Sequence, residues 1–148
     1  MNQHRYLRAY MAGIVAPTLF LLVVLAVFCI ARFGLKVPAP IEQVIVFPMA
    51  IMPNVFGLWN ILYVKLQPHW HTPIGLHGAL LPFILAPFGF FTASSLGLVK
   101  IANGGVLYFN ALYVPYGLLV FVPLIGIALY YLVWKYIVGS LNALVGLK

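Results

Sequence analysis

Four long stretches of this chain carry no Asp, Glu, Lys or Arg, and they constrain the fold more than any other feature. They lie between Arg8 and Arg32, between Glu42 and Lys65, between Lys65 and Lys100, and between Lys100 and Lys135. Each contains an apolar segment of about 20 residues, the length a helix needs to cross roughly 30 Å of hydrocarbon. Spans are expected at 9–31, 44–64, 78–99 and 116–136. Charged residues make up 6% of the 148, against about 25% in a soluble domain. So few charges cannot clothe a water-soluble globule. The expected fold is an all-α integral membrane protein, a single four-helix bundle domain over 1–148, with a His-containing loop at 65–77 and an interfacial segment at 101–115.

The basic residues set an expected orientation. With the N-terminus inside, the inner side holds Arg5, Arg8, Lys65, Lys135 and Lys148, and the outer side holds Arg32, Lys36 and Lys100. The richer side is expected to be cytoplasmic, in a bacterial-type inner membrane, with both termini there. Trp59, Tyr63, Trp70 and Trp134 fall at that same interface and read as anchors. The first apolar run is too long for a cleaved leader and lacks a small-residue exit, so the first helix is expected to stay. The net charge of +7 is spread singly among apolar spans rather than gathered in a patch, which argues against nucleic acid. Anionic headgroups on the N-terminal side are the expected lipid partners.

Spans 2 and 3 form a hairpin in which each helix carries two prolines five residues apart, Pro48 and Pro53, then Pro82 and Pro87. A proline inside a helix withholds an amide donor and crowds the carbonyl four residues back, so this hairpin is expected to be kinked. The freed carbonyls are satisfied by neighbouring helices, by water, or by a transported ion. Asn54 and Asn60 are the amides of span 2, and Thr92, Ser94 and Ser95 the hydroxyls of span 3; both sets suit bonds between helices. Glu42, the only acid, follows Pro38 and Pro40 at the head of span 2. It fits a helix-capping carboxylate, with a pore mouth as the other reading. No acid falls within a span, which disfavours proton- or sodium-coupled pumping.

The run 65–77 holds His69, His71 and His77. If it is extended, His69 and His71 point to one side and His77 joins them, a set suited to zinc, copper or haem iron; imidazoles beside lipid headgroups are the other reading. The lone Cys29 excludes a disulfide within the chain. No nucleophile, base and orienting carboxylate fall together, and no phosphate-binding or HExxH motif occurs, so no enzyme is expected.

Phe56-Gly57-Leu58-Trp59-Asn60-Ile61-Leu62-Tyr63 looks like a short run of the tryptophan-rich translocator proteins, which bind porphyrins and sterols. The resemblance covers these residues only, needs a one-residue deletion between Gly57 and Trp59, and comes without that family's Trp-Pro elements or fifth helix. No family assignment follows. The expected function is a non-catalytic structural or accessory component of a homo- or hetero-oligomeric membrane assembly. An oligomeric channel or carrier, and a lipid-, porphyrin- or metal-binding protein, remain alternatives; no cofactor is required by the sequence.

Overall fold

The computed structural model describes residues 4–37, 41–108 and 112–147, with side chains omitted over 41–49. Four helices account for most of the chain. Helix α1 spans Arg5–Gly34 and ends in a wider π turn over Ile30–Gly34. Helix α2 spans Ile41–Trp70, α3 spans Ile74–Ser95 and α4 spans Tyr116–Leu144. Helices α1, α3 and α4 are long and apolar enough to cross a membrane.

The helices alternate in direction, so the start of α1, the end of α2, the start of α3 and the end of α4 meet at one end of the bundle. Helices α1 and α2 cross closely because glycines face each other there. A Cβ on Gly13 would lie 2.7 Å from the Phe56 carbonyl oxygen, and one on Gly57 would lie 2.5 Å from the Tyr10 ring. The core proper, Phe56, Leu81, Trp134 and Val138, fills the space between α2, α3 and α4. A satellite cluster of Ala9, Val64 and Leu147 closes the same end.

Three expectations are corrected. The run 65–77 is not an extended loop: α2 continues through Pro68 to Trp70, and only 71–73 link it to α3. Pro68 costs the helix one amide bond, to the carbonyl four residues back, two residues before the helix ends; the reversal is made instead by His71, whose φ of 48° is left-handed. Pro82 does not kink a continuous helix but marks a break at Leu80, where Phe83 N donates to the Leu80 carbonyl at 3.2 Å, one residue short of the α pattern. The expected all-α fold is interrupted by three short strands, β1 (Val99–Ala102), β2 (Gly105–Tyr108) and β3 (Leu112–Pro115), which form an antiparallel meander. Gly104, at φ 82°, makes the β1–β2 turn.

Candidate functional site

The polar side chains buried within the bundle gather at the closed end. Asn60 on α2 and Asn142 on α4 face each other and exchange amide hydrogen bonds. Asn60 Nδ2 donates to Asn142 Oδ1 at 2.7 Å, and Asn142 Nδ2 donates to Asn60 Oδ1 at 2.9 Å. The second Asn60 proton goes to the Ala9 carbonyl on α1 at 2.7 Å. Both amides are buried, so one knot ties three helices in a place where unpaired amides would be costly.

A second knot surrounds His77, near the head of α3 and only 6% exposed. Its Nε2 lies 3.1 Å from the Trp59 carbonyl. A carbonyl only accepts, so Nε2 carries the proton. Trp59 returns the contact, its Nε1 donating to the His77 carbonyl at 3.0 Å. The His77 carbonyl also accepts from Leu80 N at 3.3 Å at the helix break, so the indole is its second donor. The Trp59 ring stacks on the imidazole at 4.9 Å between centroids, Tyr63 tilts against it at 5.2 Å, and Trp134 meets it edge-on at 5.9 Å.

The aromatic box closes because Gly78 has no side chain, since a Cβ there would stand 2.0 Å from Trp134 Cγ. The π turn Val133–Val138 presents Trp134 to that glycine, and such turns are a known local device at sites with special packing demands. Trp134 Nε1 is buried with no hydrogen-bond partner among the described residues. Beside the box a cleft of about 230 Å³ opens between Tyr63, Gln67 and Asn142 on its polar side and Val64, Ile74 and Leu147 on its apolar side.

The expected site residues separate sharply. His77 is caged, while His69 and His71 are exposed at the end of α2 and in the link. Among the described residues no three of His, Cys, Asp and Glu stand close enough to hold a metal ion; the continuing helix, in place of an extended run, takes away the geometry that would have gathered three imidazoles. Of the expected interface anchors, Trp70 is 68% exposed, but Trp134 is fully buried as the hub of the core. Trp59 and Tyr63 are half-buried against His77. Asn54 accepts a hydrogen bond from Tyr10 on α1 and donates to the Ala50 carbonyl of its own helix at 2.6 Å. Thr92 and Ser95 likewise turn back on their own helix, to Phe88 and Phe91. Pro53 is half-buried and Pro87 exposed. Glu42 and Pro48 occupy α2, but their side chains lie outside the described residues.

Asn142 was not expected from the sequence, because the last span was placed to end at 136. Its signal lies in the spacing: Trp134, Val138 and Asn142 recur every fourth residue and all are buried. The basic residues nearby are surface ties. Arg8 Nη1 donates to the Val145 carbonyl at 2.8 Å, and Lys135 Nζ lies 5.6 and 5.1 Å from the Tyr131 and Tyr136 ring centroids. No family model, no curated protein and no solved structure matches this chain.

Proposed function

We propose that this is an integral membrane protein whose four helices cross a bacterial-type inner membrane with both termini cytoplasmic, and that it acts as a non-catalytic structural or accessory component of an oligomeric assembly. The observation that carries the reading is α4, in whose most apolar 18-residue window only 6% of residues are buried. Along that helix Leu118, Val122, Leu124, Ile125 and Leu129 are each more than half exposed. Soluble monomers do not leave apolar surface bare on this scale, whereas lipid or partner helices would cover it.

The polar side chains support the non-catalytic half. Asn60, Asn142 and His77 are each engaged in bonds to other parts of the same chain, as expected of groups that hold helices together rather than act on a substrate. The five-to-three excess of basic residues on the N-terminal side supports the orientation.

Alkaline carbonate washing of membranes from expressing cells tests the first half; the chain should stay in the pellet, and its release would overturn membrane integration. Native mass spectrometry in mild detergent tests the second half. A mass that is a multiple of the chain, or one with companion subunits, is expected; a lone monomer would refute the assembly.

A further inference from the structure

The meander has two unlike faces. Alternation along each strand, combined with the register, places Val99, Ile101, Val106, Tyr108, Leu112 and Val114 on one face. Lys100, the only charged residue of the three strands, lies on the other with Leu107 and Tyr113. Within the apolar face, Val99 and Val106 are covered, yet Ile101 is 73% and Leu112 60% exposed.

The sheet is closely tethered. Only 96–98 separate α3 from β1, and β3 passes directly into α4. Tyr113 donates its hydroxyl to the Asn103 carbonyl at 3.1 Å and Tyr116 to the Ala102 carbonyl at 3.4 Å, bracing the β1–β2 turn against β3 and the head of α4. If α3 and α4 cross a bilayer, the sheet is pinned at its surface. That is also the end of the bundle that carries Arg32 and Lys36 at the close of α1.

We infer that the exposed part of this apolar face, at Ile101 and Leu112, seats in the headgroup-to-acyl boundary of the surrounding phospholipid bilayer, with these two side chains inserted and Lys100 on the far face at the level of the phosphates. The inference rests on the membrane reading of the helices. Charge complementarity names the occupant: 99–115 contains a lysine and no acid, which suits the phosphate that every phospholipid headgroup carries. Tyr113 and Tyr116 supply the amphipathic rings favoured at that depth. An apolar surface of this kind lies roughly 5–10 Å into the boundary.

The test uses the full chain with Cys29→Ala and single cysteines at Ile101→Cys, Leu112→Cys, Lys100→Cys and Leu124→Cys. Each is spin-labelled and reconstituted in vesicles of phosphatidylcholine and phosphatidylglycerol, and collisions with oxygen and with a water-soluble nickel chelate are compared. Labels at 101 and 112 should match the one at 124, on the bare face of α4, with oxygen favoured several-fold over their ratio at 100. If 101 and 112 follow 100, the sheet stands in water and the inference fails while α4 remains in lipid. Shielding of 101 and 112 from both reagents would overturn it in favour of a second protein chain on that face. A label at 124 that also prefers the chelate would sink the membrane reading itself.

Discussion

Asn60 and Asn142 are each other's buried partners, so removing both should cost less than the two single removals added together. Asn142→Ala leaves the buried Asn60 amide with only the Ala9 carbonyl, an expected loss of about 1–3 kcal/mol; Asn60→Ala strands the Asn142 amide and removes the bond to the Ala9 carbonyl, which keeps its amide partner within α1. Thermal unfolding in detergent should therefore show the double variant less destabilised than the sum of the singles, a positive coupling of about 0.5–2 kcal/mol. Strict additivity would mean that the reciprocal bonds contribute nothing. The three histidines divide in the same assay. His69→Ala and His71→Ala remove exposed rings and should shift stability by less than about 0.5 kcal/mol. His77→Ala empties the box between Trp59, Tyr63 and Trp134 and should cost about 2–4 kcal/mol. His77→Phe keeps the ring contacts but loses the Nε2 bond to the Trp59 carbonyl, so it should fall between. Equal losses for His77→Ala and His77→Phe would show that the hydrogen bond, not the stacking, is what matters. The sequence placed His77 beside His69 and His71 because proximity along the chain was the only available guide; its caging depends on Gly78 and on Trp134, which arrives from far along the chain.

At the scale of elements, glycine position separates packing from propensity. Gly13 and Gly57 face each other's helices at contact distance, and Gly78 faces Trp134, so an added methyl there forces helices apart. Gly13→Ala and Gly78→Ala should each destabilise by about 1–3 kcal/mol or more. Among the described residues, nothing lies within 4 Å of a Cβ added at Gly89 or Gly126. Alanine there should leave stability unchanged or raise it by up to about 1 kcal/mol, through helix propensity alone. A loss at Gly89 or Gly126 matching that at Gly13 would show that those helix faces are not open.

The four helices were legible because length and absence of charge suffice to announce them. The meander was not, because its strands are four residues long and sit between apolar helices, with the single Lys100 too little to reveal the alternation of their faces. Asn103-Gly104-Gly105 did mark its first turn. Pro68 and Pro73 look alike in sequence, but the first falls in a last helical turn and costs that helix a single amide bond, while the second is itself extended ahead of a new helix.

For the whole molecule the open question is what covers the bare side of α4, and the asymmetry of the bundle shapes the answer. At one end two polar knots and the core bind all four helices. Toward the other, α3 and α4 leave Phe83, Ile84, Phe91, Leu118, Val120 and Phe121 exposed. Lipid and a partner helix both satisfy such a surface, but they respond differently to shape. Acyl chains rearrange around a bulky side chain at little cost, whereas a packed helix pair depends on close fit. Gly126→Leu puts a large side chain where the chain itself offers no neighbour. Thermal stability of the isolated chain should therefore be unchanged or rise by up to about 1 kcal/mol, through helix propensity. If the assembly packs against this face of α4, native mass spectrometry of the same variant should show the complex reduced to single chains. An assembly of unchanged mass would assign the face to lipid and move the search for the partner contact to the exposed side of α1, where Leu19, Phe20 and Val23 are bare.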